Sequence, residues 1–401
     1  MQVKTVAFYH WIFPFGGAET VTCNLGRYFA AQGFRLLVYT RHLVPELLTK
    51  EIQAIFELRL LPNTTQGNTP DNIEYLCESL NAEQVDVLII QGATDFPFRE
   101  VHPRIRSKVI FCMHSIPLWE AYVARSKRCS DLPKQTFMRK LEFLLVRKPA
   151  DLFTDKQKRR ALKLYTGFFS SIDRLVTLCP EYGEEMERLI RKSRCPGSDA
   201  PTGKFISICN PLPPSVLPID QQMPKEKIVL YVGRLARADK RVDRLLTIWH
   251  KIESSVPGWR LQILGSGEEM EALQKQATRL GLERIEFLGY RTDVAAFYRR
   301  ASFICLTSTF EGYPMSLVEA QQYGVIPVSF DSFASIHRIT RNGEAGIVVP
   351  AYNLRKYAKT LRAALIDETL QKQMREKCYL AAEQYTQERI GREWLRLFKE
   401  L

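Results

Sequence analysis

Two glutamates, Glu311 and Glu319, bracket a loop and a helix start in the stretch STFEGYPMSLVEA. A carboxylate accepts two hydrogen bonds at once, which suits the vicinal hydroxyls of ribose or of a sugar. Three roles are open to the pair: acid/base chemistry, helix capping, or a grip on a hydroxyl-rich ligand. Ser316 to Glu319 has the S-x-x-E spacing of a capping box with Ser316 at the N-cap, and capping alone would account for Glu319. It does not account for Glu311, which stands in a Gly-Pro loop ahead of the helix. The amides around Met315 to Leu317 lie at a helix start, where an anion is favoured.

A second group is YVGRLARADKRVDRLL, in which Gly233 follows a strand and Arg234 and Lys240 lie at the strand-to-helix crossing. They are either two surface cations among the 57 Lys and Arg of the chain or a diphosphate clamp. A cation within ~4 Å of a phosphate contributes roughly 4 kcal/mol at an effective dielectric of about 20, before desolvation. In ILGSGEE, Gly265 and Gly267 form a GxG at a strand end, as fit for a plain turn as for ligand contact. In FLGYRTD, Tyr290 or Arg291 follows a strand end and could stack on a nucleobase, or simply complete a turn. At the N-terminus, Gly16 and Gly17 open a helix over 18–32, which allows close backbone approach to a ligand. Glu19 in its first turn complements the helix dipole, and His114 ends the apolar strand FCMHS, as a structural residue or a ligand contact.

These residues need elements to position them. Continuous Val/Ile/Leu runs, from KTVAFYH to FISICN and again from KIVLYVG to AGIVVP, alternate with amphipathic stretches. That pattern predicts parallel strands covered on both faces, hence an α/β chain of two doubly wound domains. The prolines of NPLPPSVLPIDQQMPKEK mark the boundary, and TQERIGREWLRLFKEL predicts a terminal helix. In such sheets ligands bind beyond the carboxyl ends of the strands, where every residue named above lies.

A chain of 401 residues at 45% hydrophobic and 25% charged is globular and long enough for two cores. No apolar run reaches the ~18 residues of a membrane span. MQVKTVAFYHWIFPFGG reads as a first strand and turn, not as a signal peptide. The nine cysteines show no CxxC pair, which predicts free thiols and a cytoplasmic location. The net charge of +13 is concentrated: Arg125 to Lys163 holds thirteen Lys/Arg against four Asp/Glu. Within it, FMRKLEFLLVRKPADLF predicts a basic amphipathic helix suited to an anionic membrane surface; the signatures of nucleic-acid binding are missing.

Taken in order, the blocks GGAE (16–19), NPLP (210–213), VGRL…K (232–240), GSGEE (265–269), E-x7-E (311–319) and NGEAGIVVP (342–350) resemble the retaining glycosyltransferases of family 4, of bacterial surface-glycan type. The resemblance implies the GT-B fold, two facing Rossmann-like domains with mostly parallel sheets. It would place an acceptor-binding domain over 1–212, a nucleotide-sugar domain over 213–385, and a helix over 386–401 that returns to the first domain. Glu319 would hold the donor ribose, Glu311 the donor sugar hydroxyls, and Arg234 and Lys240 the diphosphate. Backbone amides across Gly312, Tyr313, Pro314, Met315, Ser316 and Leu317 would meet sugar and phosphate, His114 would approach the donor sugar, and Gly17 would line the cleft. The implied reaction is retaining, metal-independent transfer of a hexose or N-acetylhexosamine. The donor would be a nucleotide-sugar, UDP being the commonest nucleotide, and no further cofactor is involved. The acceptor would be a glycan or lipid-linked glycan in polysaccharide or lipopolysaccharide biosynthesis, with the enzyme peripheral at the inner face of the membrane. Arg241 departs from the family, which frequently has Gly or Asn there, and the Arg234–Lys240 spacing is one residue longer than usual. Two readings from other classes stand beside this one: a glycoside hydrolase using Glu311 and Glu319, and a non-catalytic nucleic-acid-binding protein using residues 125–163.

Overall fold

The computed structural model describes residues 3–124, 156–194, 202–214 and 223–401. The amphipathic helix expected over 137–153 lies outside them. Of the cationic run, only the part from Lys156 is described, in the helix Lys156–Phe168.

The chain divides into two compact units, one of Met1–Leu118, Lys158–Pro214 and Tyr385–Leu401, the other of Trp119–Gln157 and Ser215–Gln384. Every strand expected from the sequence is present. In the first unit, β1 (Thr5–Phe13), β2 (Arg35–Leu43), β3 (Glu57–Leu60), β4 (Val87–Gln91), β5 (Lys108–Met113), β6 (Arg174–Thr177) and β7 (Phe205–Ser207) form a sheet ordered β3-β2-β1-β4-β5-β6-β7. In the second, β8 (Ile228–Val232), β9 (Arg260–Leu264), β10 (Ile285–Gly289), β11 (Phe303–Leu306), β12 (Ile326–Asp331) and β13 (Ile347–Pro350) are ordered β10-β9-β8-β11-β12-β13. All pairings are parallel.

The apolar runs exist because helices cover both faces of each sheet. Val6, Ala7, Phe8 and Tyr9 of β1 and Val87 to Ile90 of β4 are fully buried, as are Val229 to Tyr231 of β8. Strand order reverses between β1 and β4 and again between β8 and β11. At such a switch point the loops diverge to either side and leave a crevice at the carboxyl ends. The last helix, Gln387–Lys399, belongs to the first unit: Ile390, Trp394, Leu397 and Phe398 enter the core that includes Phe29. A Cβ on Gly391 would lie 2.2 Å from the Tyr28 ring, so glycine permits that close approach. Among the described residues the cysteines are free thiols, and no helix is long and apolar enough to cross a membrane.

Candidate active site

The loops after β8 and β11, neighbours at the second switch point, carry the charged residues singled out in the sequence. Gly233 leaves β8 with its amide on the Leu264 carbonyl at 3.0 Å, and the buried Tyr231 hydroxyl donates to the Arg234 carbonyl at 2.9 Å. These two bonds fix the backbone that presents Arg234. The Arg234 side chain is 69% exposed and touches Asp239 Oδ2 at 3.1 Å. Lys240 Nζ donates to both oxygens of Glu311 at 2.7 Å, and Ser308 Oγ donates to Glu311 Oε1 at 2.6 Å. The Thr309 amide donates to the Asp239 carbonyl at 2.6 Å, tying the two loops together.

Glu311 is thus buried and satisfied, and Lys240 is shared between Glu311 and Asp239, the latter 4.0 Å away. Such a cluster holds its cations in place without leaving a bare buried charge. The arrangement presents an exposed cation, Arg234, beside a lysine and a carboxylate whose oxygens are of the type that accepts hydroxyl donors.

Glu319 is held by a different partner. It stands on the helix Met315–Gln322, and the Tyr298 hydroxyl, from the helix Val294–Arg300, donates to its Oε2 at 3.1 Å. Burial pushes the Glu319 carboxyl above the usual range, and the Tyr298 bond opposes that shift. The capping box expected at Ser316 is not formed. Pro314 occupies the cap position, the helix begins at Met315, and no side chain caps it. Proline suits a helix entrance because it has no N–H to satisfy, so Ser316 falls inside the first turn. The Leu317 amide donates to the Pro314 carbonyl at 3.0 Å and is engaged; Met315 and Ser316 precede the helix's own ladder. Tyr313, Pro314 and Leu317 bury their side chains, and the Gly312 carbonyl accepts from Ser335 Oγ at 2.7 Å.

The GxG turn packs backbone on backbone. Gly265 has φ +140°, its amide donates to Gly289 O at 2.8 Å, and a Cβ there would lie 1.9 Å from the Gly233 carbonyl oxygen. The Ser266 carbonyl accepts from the Leu235 amide at 2.9 Å. Gly265 therefore supports the Arg234 loop from beneath. Tyr290 and Arg291 are both exposed just past β10, with 71% of Tyr290 open to solvent. Arg241 adopts φ +50°, the left-handed region that Gly or Asn favours, and its guanidinium is anchored on Asp243 at 2.8 Å.

In the first unit, Gly16 precedes the helix Gly17–Ala31 with φ +126°, and a Cβ there would lie 2.4 Å from Glu19 Oε2. Gly17 faces open space. Glu19 does more than complement a dipole, because its Oε1 lies 3.1 Å from Nδ1 of the fully buried His10. His114 directly follows β5. Its Nε2 meets Gln91 Oε1, and its Nδ1 is buried with no hydrogen-bond partner among the described residues. Burial, with nearby His10 adding to it, pushes the His114 imidazole down to about 4.

A depressed histidine is neutral in the folded chain, so the unfolded chain binds more protons between pH ~6.5 and ~4 and stability falls as pH drops through that window. Urea titrations should show the wild type losing about 2 kcal/mol more than His114→Gln between pH ~7 and ~4.5. Parallel losses in the two proteins would contradict the burial of a neutral His114.

Residues the sequence reading passed over now have places: Asp239, Ser308 and Tyr298 in the second unit, His10, Thr22 and Gln91 in the first. Ser308 and Asp239 lie in the quoted motifs themselves. Tyr298 and Gln91 are 21 and 69 positions from the Glu319 and Thr22 that they touch, and no local pattern marks them.

Two family models match the chain: Glycosyltransferase Family 4 over residues 15–195 and Glycosyl transferases group 1 over residues 219–381. The chain belongs to glycosyltransferase family 4. An uncharacterized glycosyltransferase of Haemophilus influenzae is 28% identical to this glycosyltransferase over 346 residues, 80% of this chain and 92% of the relative. A Campylobacter jejuni relative, GalNAc-alpha-(1->4)-GalNAc-alpha-(1->3)-diNAcBac-PP-undecaprenol alpha-1,4-N-acetyl-D-galactosaminyltransferase, is 28% identical over 182 residues, 45% of this chain and 50% of its own. Among solved structures, Anabaena HepE in complex with UDP-glucose superposes with a TM-score of 0.70 at 16% identity, over 99% of this chain and 100% of HepE. The two Rossmann-like units are those of the GT-B fold.

Proposed function

We propose that this glycosyltransferase moves a hexose or N-acetylhexosamine, with retention at the anomeric carbon, from a UDP-sugar to a hydroxyl of a glycan or lipid-linked glycan. The observation that carries the reading is the Lys240–Glu311 pair, 2.7 Å apart beside the exposed Arg234. It sets cations and a hydroxyl-accepting carboxylate side by side at a sheet's switch point. Charge builds on the leaving diphosphate as the sugar–oxygen bond breaks, and Arg234, Lys240 and the helix start at Met315 and Ser316 stabilise it. Glu311 accepts sugar hydroxyls, Glu319 accepts from the ribose, and Tyr290 or Arg291 stacks on the base. The leaving phosphate takes the acceptor proton on the same face of the sugar, so the anomeric configuration is kept. Two fixed cations supply the charge neutralisation, and transfer proceeds in excess chelator.

The acceptor reading is supported by the polyprenol-linked glycan in the Campylobacter relative's name, and the UDP reading by the nucleotide-sugar in HepE. The cationic run from Arg125 to Lys163 attracts the enzyme to an anionic membrane surface, where lipid-linked acceptors reside. The polysaccharide is then assembled from the cytoplasmic side.

A thermal-shift screen of nucleoside diphosphates and their sugars selects the donor, because a true ligand stabilises by mass action. With that donor and chelator present, magnetic resonance of the product reads the anomeric configuration. An inverted product, or turnover abolished by chelator and restored by metal, would overturn the reading. Glu319→Ala should raise the donor KM about 10- to 100-fold with a smaller change in kcat, as expected when an interaction made equally in ground and transition states is removed. A pure kcat loss would place Glu319 in the chemistry instead.

A further inference from the structure

A chain of hydrogen bonds crosses the interior of the first unit. Glu19 Oε1 lies 3.1 Å from His10 Nδ1, and His10 Nε2 lies 2.9 Å from Thr22 Oγ1. Thr22 Oγ1 accepts from Gln91 Nε2 at 3.0 Å, and Gln91 Oε1 meets His114 Nε2. His10 and Thr22 are fully buried and Gln91 nearly so. One end is the Glu19 carboxylate, 12% exposed. The other is His114 Nδ1, buried and without a partner among the described residues.

The protons along such a chain must all point one way. A carboxylate only accepts, so His10 carries its proton on Nδ1, facing Glu19. His10 Nε2 then accepts a hydrogen bond from the Thr22 hydroxyl, and the Thr22 oxygen accepts one from the Gln91 amide. The Gln91 oxygen, in turn, accepts from the His114 Nε2–H, which leaves His114 Nδ1 as a bare lone pair. The reverse order requires a His10 lone pair against the Glu19 carboxylate, two acceptors facing each other, which is costly. Burial keeps His114 itself neutral, its pKa pushed down to about 4.

We propose that Glu19, acting through His10, Thr22 and Gln91, locks His114 in the Nε2–H tautomer, so that His114 Nδ1 accepts a hydrogen bond from a ligand hydroxyl and disfavours an ionised carboxylate or phosphate oxygen. Glu19, His10, Thr22 and Gln91 are positioning residues, since they act through His114. Glu19 and Gln91 also line a cavity of about 620 Å³, shared with Trp11, Arg41 and Asp95. The ligand preference rests on the glycosyltransferase reading, whereas the tautomer does not.

The test uses the full chain with isotope-labelled histidine and long-range proton–nitrogen correlation spectra at neutral pH. His10→Gln and His114→Gln assign the two rings. The expected pattern is a proton on His114 Nε2 with bare Nδ1, and the converse on His10. Thr22→Val cuts the relay without replacing either ring and should turn His114 into a mixture of tautomers, while Thr22→Ser keeps the wild-type pattern. If Thr22→Val does not fold, Glu19→Met cuts the same relay at its rim and is read in the same way. A proton on His114 Nδ1 in the wild type, or an unaltered His114 pattern in the folded relay-cutting variant, overturns the proposal. Adding UDP-glucose, UDP-galactose or UDP-N-acetylglucosamine should then move the Nδ1 resonance. Expected tautomers with no such movement would defeat the hydroxyl preference and leave the relay standing.

Discussion

Lys240→Ala should lower kcat/KM for the nucleotide-sugar by about 10²- to 10³-fold, the usual consequence of removing one preorganised donor from a developing anion. The structure adds a second effect. Glu311 is buried and takes both Lys240 bonds at 2.7 Å, so the truncation removes two charge-assisted bonds and the countercharge from a buried carboxylate. Breaking a buried pair from one side costs about 3 kcal/mol, whereas replacing both members with apolar groups is nearly neutral. The double variant Lys240→Met/Glu311→Met should therefore recover most of the stability and none of the activity. Urea unfolding and steady-state kinetics on the single and double variants check both halves. Near-normal turnover in Lys240→Ala would remove the diphosphate role; an undisturbed unfolding midpoint would mean the pair is not buried as described.

Gly265→Ala should cost about 3 kcal/mol or more, although it adds one methyl group. The position combines φ +140° with a carbonyl oxygen 1.9 Å from where the Cβ would stand. That oxygen belongs to Gly233, and the peptide that follows carries Arg234. Relief requires the β8 and β9 loops to part, breaking the bonds from Leu235 N to Ser266 O at 2.9 Å and from Gly233 N to Leu264 O at 3.0 Å. Arg234 moves with its loop, so donor affinity should fall together with stability. A variant as stable and as tightly binding as wild type would show that the loops do not need this close approach.

The strands from β1 to β13 are legible in the sequence because parallel strands buried on both faces must be apolar throughout. From the strand ends, the carboxyl-edge rule leads to Arg234, Lys240, Glu311 and Glu319 without any contact map. The partners of those residues are not legible. Lys240 and Glu311 are 71 positions apart and meet only because β8 and β11 are neighbours in the sheet. Ser316 and Glu319 mislead for the opposite reason: S-x-x-E is a local pattern, and Pro314 at the entrance shifts the helix start past it. Arg241 shows how a backbone requirement hides behind a side chain, since its left-handed φ is visible only once the loop is folded. His10 sits within an apolar strand and gives no sign that it faces Glu19 and Thr22.

The central claim is that the second unit grips a nucleoside diphosphate through Arg234 and Lys240. Arg234 is 69% exposed, so Arg234→Ala should leave the fold intact and report on binding alone. Titration calorimetry of UDP against wild type and Arg234→Ala, both in excess chelator, tests this most directly. The account predicts one UDP per wild-type chain and at least about tenfold weaker binding by the variant, a difference of roughly 1.4 kcal/mol. Equal affinities in the two proteins, or no UDP binding by a folded wild type, would contradict it.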